Sequence, residues 1–225
     1  MTQQLPKSPS LKLLPLPIRN FSSGITLVES LLVIGIVGIF LTLIVPSFQT
    51  FNRNQTLKTT AINLKSDLRQ AQDNAFSGRR QDADWGCVSS GPNEESLFGW
   101  YVKVWSISPD NSKYEVRGAC MLKTNYSLGT EFTGKDVKLA SGVTVNAIEK
   151  GTLGPPYSSA GSPIYVLFKS VTNNVGFYDE AGFCQPFCPG TEISGASQVR
   201  ITLSMGSSEH YVYIKNTGEI YESKP

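Results

Sequence analysis

The sequence predicts an α+β chain in which a long N-terminal helix, apolar in its first half and amphipathic in its second, packs on an antiparallel β-sheet domain. Three observations predict it. The segment from Ile25 to Val45 holds 21 residues with a single charge, Glu29, and a helix of that length spans ~30 Å, the hydrocarbon core of a bilayer. Beyond it, apolar residues recur at Leu57, Ala61, Leu64, Leu68, Ala71 and Ala75, in alternating steps of four and three that mark one helical face. After Arg80 the pattern changes to alternation divided by Ser-, Pro-, Asn- and Gly-rich turns, the signature of strands.

Residues 1–24 form a leader with four prolines and only basic charges, Lys7, Lys12 and Arg19. Those cations favour the cytoplasmic side, so the amino terminus is expected inside and the large domain outside. An ordinary secretory signal is cut after its apolar region and loses it. Here a cut between Gly24 and Ile25 leaves the apolar helix on the mature chain. Glu29 then lies one turn inside an apolar segment, where a carboxylate costs free energy without a partner.

Residues 25–46 read as a transmembrane segment. Pro46 closes it, removes a backbone hydrogen bond and presses on the carbonyl of Thr42, so a kink or local melting is expected there. Gly35 and Gly38 weaken the same helix, by about 1 kcal/mol each in a water-soluble setting, and let helices approach closely in a membrane. Residues 47–79 form the amphipathic half, with Lys58, Lys65, Asp67, Arg69 and Asp73 off the apolar stripe and Ser77-Gly78 as the stop. One helix from Ile25 to Ser77 is expected.

Residues 80–225 carry the strands. Alternation sets Phe98, Trp100, Val102 and Val104 against Leu97, Tyr101, Trp105 and Ile107, and further strands follow at 114–121, 143–148, 164–168, 175–178, 199–203 and 211–214. Lys215-Asn-Thr-Gly218 before Glu219-Ile-Tyr221 is a hairpin turn with Gly at the position that needs positive φ.

The first residues of the apolar segment carry a resemblance. Gly24 at the cut, an apolar Ile25, Thr26, and Glu29 as the fifth mature residue resemble the class III signal of type IV pilins and type II secretion pseudopilins. Pro46, the twenty-second mature residue, falls where many type IV pilins also carry proline. The segment 64–80, Cys87-Val88 and the strand from Phe98-Gly-Trp100 to Trp105 are similar to the GspH/FimT group of minor pilins and pseudopilins. Gln72 and Asn74 depart from that group's usual Arg and Glu. The resemblance implies a pilin-like fold, cleavage after Gly24 by a prepilin peptidase that also N-methylates Ile25, and pairing of Glu29 with an Ile25 amine in a helix-cored filament. It further implies other pilin or pseudopilin subunits and an inner-membrane assembly platform as partners. The precursor is expected in the cytoplasmic membrane and the assembled subunit in the periplasm or at the cell surface.

Four cysteines, Cys87, Cys120, Cys184 and Cys188, fall on the extracytoplasmic side, where disulfides persist. Three pairings are open. A five-residue loop closed by Cys184 and Cys188 around Pro186, leaving Cys87 with Cys120, is favoured over the others. A four-thiolate zinc site has poor ligand spacing, and the absence of Cys-x-x-Cys disfavours redox catalysis. His210, the single histidine, sits beside Tyr211 on a strand and reads as an exposed or satisfied strand residue rather than a catalytic base. Asp179-Glu180 reads as a solvated turn more readily than as a calcium loop. Trp85 and Tyr157 are candidate loop aromatics.

Without the leader cations the chain holds 17 basic and 18 acidic side chains, so no basic footprint supports nucleic-acid binding, although Arg79-Arg80 could form a local patch. The favoured function is a structural subunit without enzymatic activity, a minor pilin or pseudopilin acting at filament initiation or tip, with no cofactor. A tip-located DNA-binding or adhesive subunit is the first alternative and a membrane-anchored extracytoplasmic enzyme the second.

Overall fold

The computed structural model describes residues 26–78, 87, 91, 94–124, 128–152, 155–170, 174–180, 193 and 195–224. The chain divides into two compact units, Met1–Pro46 and Ser47–Pro225. Helical backbone, α1, is assigned over Leu27–Phe76, with side chains described over 27–41 in the first unit and 48–76 in the second. Its end is set locally. The amide of Ser77 donates to the Asp73 carbonyl and that of Gly78 to Ala75, and Gly78 takes φ 65°, a left-handed cap that costs glycine nothing.

Ten strands follow among the described residues. The first sheet runs in the order β3 (Leu128–Lys138), β2 (Lys113–Leu122), β1 (Glu95–Val104), β6 (Ile164–Lys169) and β7 (Val175–Asp179). The second runs β10 (Ile220–Ser223), β9 (Ser208–Lys215), β8 (Gln198–Met205), β4 (Thr144–Gly151) and β5 (Ser158–Ser159). Every pairing is antiparallel. The β9–β10 hairpin turns through Gly218 at φ 88°, with Gly218 N donating to the Lys215 carbonyl and Lys215 N to that of Glu219.

One core joins both sheets and the helical segment of the second unit. Leu57, Ala61, Leu64, Leu68, Ala71 and Ala75 are all buried in it, with Val102, Val116, Val166 and Phe177 from the first sheet and Val145, Ile201, Val212 and Ile214 from the second. Complete burial of a leucine or valine contributes about 1.5–3 kcal/mol, so this shared apolar interior is the main stabilising term. Polar ties add direction. Lys65 pairs with Glu222, Arg69 donates to the Ile220 carbonyl and Gln72 to that of Gly218. Asp67 accepts from the Tyr114 hydroxyl and from Lys135, and burial, with Asp67 adding to it, pushes the Tyr114 hydroxyl well above its usual range.

The expected architecture, a pilin-like α+β fold with a long N-terminal helix of anchor and amphipathic halves packed on one antiparallel sheet, is corrected by these observations. Strand accounts for 44% of the described residues against 31% helix, and the strands form two sheets. The described helical side chains fall into two stretches in different units, and the large apolar ones of 27–41 are exposed. The physical reason is area. A helical stripe is narrow, and two five-stranded faces bury their apolar side chains by sharing one interior.

Register also departs from simple alternation. A bulge between Leu97 and Gly99 reverses the face of the residues before it, since a one-residue slip exchanges inside for outside. Phe98 therefore packs with Tyr101, Ala119, Tyr165, Leu167 and Tyr178 on the far side of the first sheet, while Leu97 joins the main core with Trp100. The close β1–β6 approach is the second local demand, because a Cβ on Gly99 would lie 2.1 Å from the Phe168 carbonyl oxygen.

Candidate functional site

The cleavage and methylation residues, Gly24 and Ile25, lie outside the described residues. Description begins at Thr26, whose side chain caps the helix: its Oγ1 accepts from the Glu29 amide at 3.3 Å, and its carbonyl accepts from Ser30 N at 3.1 Å. Thr26-Leu-Val-Glu29 is therefore one half of a capping box, a pattern visible in the sequence as Thr-x-x-Glu before an apolar run. Glu29 itself is exposed in the first turn, where a carboxylate also complements the positive end of the helix dipole.

The apolar side chains that follow are open. Leu27 is 76% exposed, Ile34 66% and Ile39 65%, and Leu31, Leu32, Val33, Ile36, Val37, Phe40 and Leu41 are also exposed. A Cβ on Gly35 or Gly38 would meet nothing within 4 Å. This segment presents apolar side chains around its circumference. Among the described residues no helix is long and apolar enough to cross a membrane. The side chain of Pro46 lies outside the described residues, while helical backbone is assigned through this position, where the sequence predicts a kink or local melting.

Cys87 and Cys120 are joined in a disulfide, one half of the favoured pairing. Cys184 and Cys188 lie outside the described residues, as do Arg79, Arg80 and Trp85. Glu95 is buried beside the bridge, close enough that its carboxylate and the two sulfurs lie within 4.8 Å of one another. Both sulfurs are bonded, so neither is a thiolate ligand. Glu95 Oε1 instead accepts from the amide and hydroxyl of Thr130 at 2.8 and 3.0 Å, which ties β1 to β3. Asp179 ends β7, and Glu180 pairs with Lys103 at 3.5 Å.

A cavity of about 410 Å³ is lined by Gln55, Thr56, Thr59 and Asn63 of the helix with Tyr114 and Lys138 opposite. Its lining offers hydroxyls, amides and one ammonium but no imidazole, thiol or carboxylate. It can hydrogen-bond a polar molecule.

Two features were missed by sequence reasoning. His210 is neither exposed nor satisfied: it lies within β9, is 8% exposed, and its Nε2 has no hydrogen-bond partner. The signal was parity, since His210 alternates into the core with Val212 and Ile214. On the opposite parity Tyr211 and Tyr213 form a ring cluster with Tyr221 and Tyr157, and the Arg200 guanidinium lies 4.1 Å from the Tyr157 ring centre while paired with Glu149.

No protein-family model matches the chain, and no curated protein and no solved structure is significantly similar to it.

Proposed function

We propose that this chain is a minor pilin or pseudopilin, a structural subunit that acts at the initiation or tip of a type IV pilus or type II secretion filament. The observation that carries the proposal is the exposure of every large apolar side chain described between Leu27 and Leu41, directly after the Gly24-Ile25-Thr26 sequence and its Glu29. A prepilin peptidase cuts between Gly24 and Ile25 and methylates the new amine. The bilayer holds the precursor, amino terminus inside, until neighbouring subunits replace lipid around the helix on the assembly platform. Burying one such side chain is worth about 1.5–3 kcal/mol relative to water, so lipid and subunits are the only stable surroundings. Between those two, packing at Gly35 and Gly38 and a charge pair choose the subunits. The Ile25 ammonium against the Glu29 carboxylate supplies that pair in a medium of low dielectric.

One substitution separates the charge of Glu29 from its place in the Thr-x-x-Glu pattern. Gln serves a capping box as well as Glu but carries no charge. Glu29→Gln therefore keeps the helix start and the cleavage while incorporation into sheared filaments falls sharply. Normal incorporation of this variant would remove the assembly role of Glu29.

A further inference from the structure

A cavity of about 130 Å³ lies where β9 and the end of β10 meet the helical segment of the second unit, with His210, Lys58, Lys224, Phe51, Leu57 and Glu209 in its wall. A single water needs about 10–15 Å³ of such space, so the cavity has room for a small molecule. His210 is more than nine-tenths buried, and its Nε2 lacks any hydrogen-bond partner. A buried polar atom left unsatisfied costs about 1–3 kcal/mol; this one has almost no accessible surface of its own, so an occupant of the cavity acts on the ring through its charge.

The charges around the cavity select the kind of occupant. Lys58 comes from the helix and Lys224 from the chain after β10, and among the described residues neither ammonium has an ion-pair partner. Of the nearby acids, Glu222 is paired with Lys65, while Glu209, which accepts from the Tyr211 hydroxyl at 3.1 Å, is itself in the wall, so two ammonium groups stand there against one carboxyl group. Two ammonium groups repel a metal cation, and Leu57 with the 64% exposed Phe51 adds an apolar wall. We propose that this cavity binds a small carboxylate, its oxygens facing Lys58, Lys224 and the His210 imidazole and its carbon end facing Phe51 and Leu57.

Burial holds the His210 imidazole below its ordinary pKa; Glu222 opposes this, and Lys58 and Lys224 add to it. A bound carboxylate places a negative charge beside the ring and favours the imidazolium, which donates from both nitrogens. Binding and protonation are therefore linked, so carboxylate raises the titration midpoint of His210 and affinity rises as pH falls toward that midpoint.

His210 is the single histidine of the chain, so its imidazole resonances are unambiguous in the full-length protein. The experiment titrates the detergent-solubilised chain with sodium acetate at constant ionic strength and follows those resonances by NMR, together with their pH midpoint. A saturable shift is expected, with a raised midpoint, and K58Q/K224Q weakens acetate binding by at least about tenfold, the worth of one charge-assisted hydrogen bond. Absence of a saturable shift, or the same affinity in K58Q/K224Q, would overturn the site. A shift that grows with protein concentration without acetate would also overturn the free-ligand assignment, in favour of a carboxylate supplied by a second copy of the chain.

Discussion

Removing the Cys87–Cys120 bridge is the sharpest test of how the β-rich unit is held together. The bridge links positions 33 apart in sequence, joining the chain ahead of β1 to β2 beside the buried Glu95. Chain-entropy reasoning for a loop of that length gives about 3.7 kcal/mol at 25 °C. Cys120 is fully buried and Cys87 nearly so, so alanine is the appropriate replacement, because serine would leave a hydroxyl unsatisfied in an apolar interior. The double variant C87A/C120A adds a small cavity cost, for a total loss of about 4–5 kcal/mol. With a urea slope of about 2–3 kcal/mol per molar, the unfolding midpoint of the full-length protein drops by about 1.3–2.5 M. Urea titration followed by tryptophan fluorescence measures it, and reduced wild type should approach the variant. A loss below about 1 kcal/mol, or a wild-type midpoint indifferent to reductant, would refute the claim that this bridge constrains the unfolded chain.

Two further outcomes concern the same unit. Gly99→Ala brings a Cβ to 2.1 Å from the Phe168 carbonyl oxygen in the neighbouring strand, and the forced shift costs about 2–4 kcal/mol in thermal or urea unfolding; an unchanged midpoint would show that β1 and β6 do not pair closely there. Glu222 is held below its ordinary pKa chiefly by Lys65. Its contribution is therefore present above the usual carboxylate range, near pH 4, and is lost as pH falls through the depressed folded value. Glu222→Gln should be less stable than wild type at pH 7 by up to about 1 kcal/mol, the range for a partly exposed pair. The gap closes in acid, and a gap independent of pH would contradict the pairing.

What could be read from the sequence depended on whether a signal was local. The stripe from Leu57 to Ala75 follows helical geometry alone, and all six of its residues are buried. The turn at Gly218 needed only its own φ preference. Strand β3 went unread because Gly129, Gly134 and the charges at 131, 135, 136 and 138 hide its alternation; it is held by its partner β2 and by the Glu95 bonds to Thr130. The bulge that turns Phe98 away from Trp100 and the division into two sheets arise from pairings between distant segments, which no short window contains. His210 was misjudged by residue type when its parity on β9 pointed inward. Thr26 was read as part of a processing signal, and its capping role was equally legible from its distance to Glu29.

The central proposal concerns processing of the amino terminus, and the intact mass and N-terminal sequence of the protein co-produced with a prepilin peptidase test it most directly. The account predicts a chain beginning at Ile25 and carrying one added methyl group on its amine. A chain that still begins at Met1, or one cut after Val45 so that the apolar segment is lost, would contradict it.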